Sequence, residues 1–233
     1  MSVSPIIIQK KPQTYLGPSQ VATVLGESPF MSAAELKVRL ENGYRHEYTP
    51  AQQRGNARED KIRKRYSKCT GASVSRAFFM KDRQLCPRLG GICDGLVTEE
   101  EDTGVERGGG GRGAKGGRGG RGGRGGRGQG ARGRRARGVK GVPGSNKGGV
   151  EIKCSSAHKV FQSYRIQAVC YMHLYRRHWW DIVVSTPGKE GELLIERIYW
   201  KDYHDIWYTK WYPAIVKFCD SVKWAKELAP LQV

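Results

Sequence analysis

The sequence predicts an α/β (α+β) domain with a mixed central sheet flanked by helices. Helix signals come first, a group of short apolar strand-like segments follows, and one long helical segment then separates these from two further strands. This order is typical of domains that layer helices on a mixed sheet. At 233 residues the chain is long enough for one well-filled domain, which we expect to span residues 1–233.

Three N-terminal helices are predicted, over residues 19–25, 33–43 and 51–68. Ser19 is the predicted N-cap of the first helix. Ser32 and Glu35 have the spacing of a capping box, which opens the second helix. Pro50 suits the first turn of the third helix, where the absent N–H is not needed.

Apolar alternation predicts strands over residues 72–80, 89–97, 150–154, 180–185 and 193–200. Apolar residues at helical spacing predict a helix over 158–176 between the third and fourth strands. A C-terminal helix is predicted over 202–227, with a kink at Pro213. The Trp and Tyr residues between positions 200 and 212 favour packing of this helix against the sheet, with a base-stacking platform as the alternative.

The formal net charge of +19 is unevenly distributed. Residues 107–149 hold thirteen of the 41 Lys and Arg, 21 of the 32 Gly and none of the acids. The rest of the chain therefore has 28 basic against 22 acidic residues and is only mildly basic. Because the stretch contains almost no apolar residues to offset chain entropy, we expect residues 103–148 to form a disordered Arg-Gly-rich insertion between two strands.

The repeats within the insertion are typical of segments that bind nucleic acid. Its Gly-Gly-Arg repeats place an arginine at every third position, at Arg118, Arg121, Arg124 and Arg127. Arginines of this kind bind single-stranded DNA or RNA through phosphate contacts and stacking, with little sequence preference. The alternative is a solvated linker whose charge merely attracts nucleic acid.

Other features exclude several classes of protein. The six cysteines include no C-x-x-C pair and are expected to be reduced thiols. No apolar run approaches the ~20 residues of a membrane span, and the short Ile-rich run near the N-terminus does not suit a secretory signal. We expect a soluble intracellular protein of the nucleus or cytoplasm, without a membrane partner.

The strongest chemical motif combines Asp94 with Glu151 and Lys153. Side chains alternate along a strand, so Glu151 and Lys153 share one face while Ile152 points into the core. Asp94 lies in a second apolar strand, where an acid is costly unless something there requires it. Two carboxylates and the Ile152 carbonyl are oxygen ligands suited to Mg²⁺ or Mn²⁺, as in metal-dependent nucleases. The alternative is a surface hairpin with ordinary ion pairs.

Further residues are weaker candidates. Glu59 offers another carboxylate from a helix, although pairing with a neighbouring arginine is the simpler interpretation. Gln167 is polar within an apolar helical stretch, which also fits a position at the helix rim. Basic residues near these motifs complete the candidate DNA-binding set: Arg54, Arg58, His158 and Lys159.

Five motifs in order resemble the phage λ exonuclease / YqaJ-type viral recombinase family, a branch of the PD-(D/E)XK nucleases. They are Gly17-x-Ser19 with Val21-x-x-Val24-Leu25-Gly26-Glu27-Ser28-Pro29-Phe30, Gly55-x-x-x-Glu59, Cys93-Asp94-Gly95-Leu96, Glu151-Ile152-Lys153-Cys154, and Gln167. The resemblance covers residues 15–218 apart from the insertion, which departs from the family pattern. It implies a restriction-endonuclease-like core.

The resemblance also implies an activity: Mg²⁺-dependent 5′→3′ degradation of linear duplex DNA, with a single-strand annealing protein as partner and a homo-oligomer as a further expectation. It makes Asp94 and Glu151 metal ligands, Lys153 the catalytic lysine and Glu59 a helical acid of the active site. Gln167 would support the site, and Ser19 would lie near a phosphate. Two alternatives stay open: a structure-specific or restriction-type endonuclease of the same superfamily, and a non-catalytic RNA- or ssDNA-binding protein.

Overall fold

The computed structural model describes residues 13–43, 49–98, 147–188 and 192–224. Its helices are α1 (Pro18–Val24), α2 (Ala33–Glu41), α3 (Pro50–Thr70), α4 (Gln162–Tyr175), α5 (Trp200–Ile206) and α6 (Tyr212–Ser221), with a π-helical turn (Trp207–Trp211) between the last two. Its strands are β1 (Ser73–Ser75), β2 (Met80–Lys81), β3 (Gly90–Gly91), β4 (Gly95–Thr98), β5 (Lys147–Cys154), β6 (Trp179–Ser185) and β7 (Leu193–Tyr199). The predicted insertion 103–148 lies outside the described residues, except for its last two.

The main sheet has five strands in the order β1-β4-β5-β6-β7. Only β5 and β6 are parallel, and α4 forms the crossover that parallel neighbours require. The remaining pairs are antiparallel. The predicted mixed sheet flanked by helices is therefore confirmed.

Each face of the sheet is covered by helix. On one face, α4 packs with α1 and the C-terminal helices around fully buried side chains such as Trp180 and Trp207. On the other face, α3 packs Ile62 and Tyr66 against Val150 and Val183 of the sheet. Strand β5 thus runs between two cores, which explains why its residues from Gly148 to Ile152 are all buried.

Two predicted strands are wrong in extent. The segment 72–80 forms only β1 and, further on, the start of β2, while the segment 89–97 is divided into β3 and β4. The reason is tertiary: β3 pairs with β2 in a separate two-stranded sheet, whereas β4 pairs with β1 and β5. The chain bends between these sheets, so Asp94 lies in the bend directly before β4 and not within a strand.

The helix boundaries differ from prediction where side-chain signals competed. Gly17, not Ser19, is the N-cap of α1, and the Gln20 side chain accepts a hydrogen bond from its N–H at 2.9 Å. The predicted kink at Pro213 takes the form of the π-helical turn that precedes α6. Proline in the first turn of α6 leaves the carbonyl four residues earlier without its helical donor, which favours a wider turn there.

The C-terminal aromatic residues and the cysteines agree with the expectations from the sequence. Trp207, Trp211 and Tyr212 are buried, which confirms packing for these aromatics. All six cysteines are free thiols. Across the described ranges, no helix combines the length and the apolar character needed to cross a membrane.

Candidate active site

The site begins where the pairing of β4 with β5 stops. The last pair in this direction is Gly95 with Val150, so the next outward-directed amide of β5, that of Ile152, has no strand partner. Asp94 fills this gap, and its Oδ2 accepts a hydrogen bond from Ile152 N at 2.6 Å. Because the N–H and C=O of one strand residue point to the same edge, the Ile152 carbonyl is directed to the side of Asp94 as well.

A buried polar group continues the site along β5. Glu151 is 3% exposed, and its Oε1 lies 2.8 Å from Lys153 Nζ. Gln167 on α4 joins both residues: its amide nitrogen donates to Glu151 Oε1 at 2.6 Å, and its carbonyl oxygen accepts from Lys153 Nζ at 2.8 Å. The predicted shared face of Glu151 and Lys153 is observed, and the polar position in α4 faces them.

The charges of these groups influence one another strongly. Burial, and then the nearby Asp94 carboxylate, raise the pKa of Glu151 to about 8. Burial also raises the pKa of Asp94, against the opposing effect of Lys153. Burial alone would lower the pKa of Lys153, but the two carboxylates outweigh it and raise that pKa. Ionising both acids would therefore place more negative charge here than one ammonium group can balance, and the acids resist losing their protons.

Glu59 of α3 lies at the rim of this group. Burial and the Asp94 carboxylate raise its pKa, which places it within the electrostatic reach of Asp94. Its carboxylate is paired with Arg63 one helical turn later, as the simpler interpretation of the sequence predicted. Arg63 also contacts Asp60, and its Nε donates to the Asp94 carbonyl at 3.0 Å, so α3 is tied directly to the acidic bend.

The residues present fit a divalent cation. Glu151 Oε2 is buried and has no hydrogen-bond partner among the described residues, an expensive state for an acid oxygen that a cation would relieve. The donors available around it are carboxylate and carbonyl oxygens, the ligands that Mg²⁺ and Mn²⁺ prefer. No set of three or more Asp, Glu, His or Cys side chains in the described ranges already has the geometry of a metal site.

Those predicted DNA-binding residues that the structure describes lie at the protein surface. Arg54 and Arg58 are exposed on α3, and Ser19 is exposed on α1. His158 is exposed beside Thr186, with 3.2 Å between its Nδ1 and the Thr186 hydroxyl. Lys159 lies over the Phe161 ring at 4.6 Å. Their DNA contacts remain predictions, and Arg118, Arg121, Arg124 and Arg127 lie outside the described residues.

Sequence reasoning missed three residues that shape the site. Arg63 is the counter-ion of Glu59, and its position four residues later was the available signal. Tyr164, one helical turn before Gln167, places its ring 5.2 Å from Lys153 Nζ. Tyr171, one turn after Gln167, donates to the Ile92 carbonyl at 2.8 Å and so holds the bend that carries Asp94. The 3.6-residue periodicity of α4 joins these two tyrosines to Gln167 on one helix face.

The sequence resemblance to the PD-(D/E)XK class of nucleases predicts such a set of Asp, Glu-x-Lys and a helical Gln, which here gathers around β5, the middle strand of a mixed sheet. Within this class, residues 9–178 match the YqaJ-like viral recombinase domain. The match spans well over half of the 233 residues, and the chain belongs to this family.

Solved structures agree with this fold. The chain is similar to the alkaline exonuclease LHK-Exo from Laribacter hongkongensis, with 20% identity, a TM-score of 0.57, and coverage of 90% of this chain and 88% of that one. A crystal structure of LHK-Exo in complex with dAMP gives 19% identity, a TM-score of 0.58, and coverage of 89% and 87%. A comparison with curated protein sequences gives no match.

Proposed function

We propose that this protein is a divalent-metal-dependent exonuclease that degrades linear duplex DNA from its 5′ ends. The observation that carries the proposal is the pairing of Asp94 with Glu151 beside Lys153, in which Glu151 Oε2 is buried without a hydrogen-bond partner among the described residues. Family membership supports it, and so does a fold shared with an exonuclease that binds dAMP. The proposed ion is Mg²⁺ or Mn²⁺.

The chain would contribute to hydrolysis through positioned groups. Asp94, Glu151 and the Ile152 carbonyl would hold the cation, with Glu59 available once it leaves Arg63. When bound, the cation would polarise the scissile phosphate and acidify a water molecule. Lys153, kept charged by its carboxylate neighbours, would orient the attacking water and balance negative charge on the phosphate. Gln167 would fix the Lys153 ammonium in that position.

A matched pair of acid substitutions tests the proposal. Purified protein is incubated with linear duplex DNA or closed-circular DNA, in Mg²⁺ or in EDTA. We expect degradation of linear DNA alone, with loss of activity in EDTA and in Asp94→Asn. Asp60→Asn is the control, since its side chain is an acid that is 76% exposed on the neighbouring helix. Fragments from 5′-labelled and 3′-labelled strands give the polarity, and release from the 3′ end first would contradict the proposed direction.

The same assay separates the alternatives. Cleavage of closed circles would replace the exonuclease by a structure-specific or restriction-type endonuclease. If the parent protein cleaves neither substrate and Asp94→Asn binds nucleic acid as tightly as the parent does, the protein is a non-catalytic binder instead.

The remaining parts of the proposal concern partners. Arg-Gly repeats within residues 103–148 would bind single-stranded DNA or RNA, and such binding should weaken steeply as salt rises. A single-strand annealing protein would take up the strand that remains, and a homo-oligomer would keep the enzyme on its substrate. Pull-down of an annealing protein and sedimentation of the purified chain test these two expectations.

A further inference from the structure

A second, basic and aromatic cavity lies at the far end of α4. Its volume is about 580 Å³, within the range of about 300–1,000 Å³ usual for ligand sites. The walls come from three places: the segment around β2, the C-terminal end of α4 and the start of the C-terminal helices. The lining side chains that matter here are Phe78, Lys81, Arg83, Arg176, Arg177, Trp200 and Tyr208.

This cavity is separate from the acid site. Gln167, which faces Glu151 and Lys153, is nine residues before Arg176, or about 13 Å along a helix axis. His178, at the cavity wall, neighbours Lys147 at the opposite end of β5 from Lys153. None of the residues placed in the acid site lines the cavity.

Among the described residues that line the cavity, four cations, Lys81, Arg83, Arg176 and Arg177, stand against one acid, Asp82. Within the described ranges, Lys81, Arg83, Arg176 and Arg177 make no ion pair. Arg177 is half-buried, and its Nε is buried without a hydrogen-bond partner among the residues that the structure describes. Such a donor is costly unless an acceptor arrives.

The acid in the wall, Asp82, is already occupied. It is 6% exposed and accepts hydrogen bonds from the Cys86 and Gln84 amides at 2.9 and 3.1 Å and from the Tyr212 hydroxyl. His173 Nε2 lies 3.4 Å from its other side. The Asp82 carboxylate is therefore already hydrogen-bonded within the protein. Because the four cations outnumber this one acid, the cavity has a net positive charge.

Arg176, on the cavity wall, has a strained backbone conformation. It is the one non-glycine residue with positive φ in the described ranges, at φ 53° and ψ 55°. The left-handed conformation at a helix C-terminus normally takes glycine, because a side chain costs about 1–2 kcal/mol there. In this protein the position is occupied by an arginine that lines the cavity.

The aromatic side chains identify the kind of ligand. Phe78 is 64% exposed and Tyr208 is 41% exposed, high values for such large rings. Phe78 packs edge-on to Tyr175 at 6.3 Å, and Tyr208 packs edge-on to Trp200 at 6.0 Å, which leaves the ring faces free to stack. Cations beside exposed aromatic rings bind unpaired nucleotides, through the phosphate and through stacking of the base.

We infer that this cavity is a second nucleic-acid site, which binds unpaired nucleotides of single-stranded DNA. It would hold the strand that is left single-stranded as duplex DNA is degraded. The inference rests on the proposed DNA substrate but not on catalysis. A duplex does not fit the same chemistry, because its bases are stacked on one another and cannot stack on Phe78 or Tyr208.

Photo-crosslinking in EDTA tests the inference on the full chain. A single-stranded oligonucleotide carrying iododeoxyuridine is irradiated with the protein, and the adducts are mapped by mass spectrometry. We expect adducts at Phe78, Trp200 or Tyr208, and far fewer with a duplex of the same sequence. Mapping is necessary because the Arg-Gly repeats would also retain the oligonucleotide. Adducts confined to other segments, or equal adducts with the duplex, would overturn the inference.

Arg176→Gly separates binding from folding. Glycine accepts the left-handed conformation, so thermal stability should hold or rise while one cation is lost. We expect several-fold fewer cavity adducts and a salt dependence of affinity reduced by about one unit of slope, as for one lost phosphate contact. Phe78→Ala should lower the adducts similarly, and Lys37→Ala on α2 is the control for charge. Equal adduct yields in Arg176→Gly and Lys37→Ala would contradict the site.

The two proposals fail separately. Asp94→Asn should crosslink like the parent protein, because the acid site is not needed for this binding. Cavity adducts without DNA degradation in Mg²⁺ would refute the nuclease activity and support the second nucleic-acid site. DNA degradation without cavity adducts would support the nuclease activity and refute the second site. Inorganic phosphate should compete only weakly, and complete displacement by phosphate alone would overturn the nucleotide assignment in favour of a simple anion site.

Discussion

The side-chain amide of Gln167 donates to Glu151 Oε1 across 2.6 Å, from helix α4 to strand β5. The same amide accepts from Lys153, so one orientation of one side chain satisfies an acid and a base together. A carboxylate accepts only and an ammonium donates only, which fixes the amide orientation. Gln167 therefore couples the acid that would bind metal to the lysine that would act on water.

Substituting Gln167 by Glu should strongly impair nuclease activity. The new carboxylate would keep the bond to Lys153 but face Glu151, and like charges at this distance repel strongly when buried. We expect a loss of at least about 100-fold in the rate of duplex degradation, or about 3 kcal/mol in transition-state stabilisation. Gln167→Met, similar in size but unable to bridge, is the comparison. Parent-like activity in Gln167→Glu would show that the bridge is not used.

Substitution of a second buried acid, Asp181, should lower the stability of the fold without acting on the catalytic groups. It is 1% exposed and accepts from Arg197 Nε at 2.7 Å and from the Tyr66 hydroxyl at 2.6 Å, joining β6 to β7 and α3. Removing one partner of a buried pair leaves the other charge uncompensated, at a cost of about 3–5 kcal/mol. Asp181→Ala should lower the free energy of unfolding in urea by this amount. Tyr66→Phe should cost only about 1 kcal/mol, the net value of a hydrogen bond.

Asp181 also marks a limit of sequence reading. An acid in an apolar strand was the signal that singled out Asp94, and Asp181 shows the same signal without belonging to the site. What separates them is the partner: Asp181 is neutralised by Arg197 from the adjacent strand, whereas Asp94 receives a backbone amide at the end of a strand pairing. Such pairings depend on strand order, which the sequence does not state.

Local patterns, by contrast, were sufficient for much of the site. The alternation around Ile152 placed Glu151 and Lys153 on one face, and the polar interruption at Gln167 marked the helix position that meets them. The sequence did not reveal that Asp94 lies in a bend, because the break between β3 and β4 results from pairing with β2. Nor did it reveal that α3 would bring Arg63 to the Asp94 carbonyl, a contact 31 positions apart.

A substitution at Gly149 tests how closely the packing of the sheet supports the bend that carries Asp94. A Cβ at this position would come within 2.3 Å of the Trp180 ring on the adjacent strand. Trp180 is fully buried and stacks on Tyr171, whose hydroxyl holds the Ile92 carbonyl. Gly149→Ala should destabilise the protein by about 1–3 kcal/mol through overpacking and also lower nuclease activity.

The control for this substitution is Gly55→Ala in α3. A Cβ there meets only Cys154 Cβ, at 3.7 Å, and alanine favours a helix interior over glycine by about 1 kcal/mol. Thermal unfolding should therefore move in opposite directions for the two alanine variants. Equal shifts would mean that the close approach of Trp180 to Gly149 does not limit packing.

The buried His173 should make the free energy of unfolding depend on pH. Its side chain is 5% exposed, and its ring lies 5.0 Å from Trp207 and 4.9 Å from Tyr212. Burial lowers the pKa of this histidine below its usual 6.5, although the Asp82 carboxylate acts in the opposite direction. Asp82 itself titrates lower: burial opposes it, but hydrogen bonds, first from Tyr212, lower the pKa of its carboxyl below 3.8.

The sign follows from proton uptake. Between the lowered folded pKa and 6.5, the unfolded chain binds a proton at His173 that the native protein does not. This contribution is therefore fully present above pH 6.5 and is lost as pH falls through the folded pKa. Glu151 acts oppositely, since a folded pKa raised from 4.5 to about 8 gives stability below pH 4.5 that is lost as pH rises toward 8.

His173 and Glu151 change the stability in opposite directions as pH changes. The contribution of His173 is therefore measured by comparing variants. His173→Phe keeps a ring among the aromatics but removes the titrating group. Urea unfolding of metal-free protein from about pH 5 to 8, the range in which histidine titrates, should show the variant gaining on the parent protein as pH falls. His204→Phe, at a side chain that is 52% exposed, is the comparison for replacing a histidine at the surface. If His173→Phe runs parallel to the parent protein, the folded and unfolded chains bind this proton equally, and the loss of stability in acid must arise at other groups.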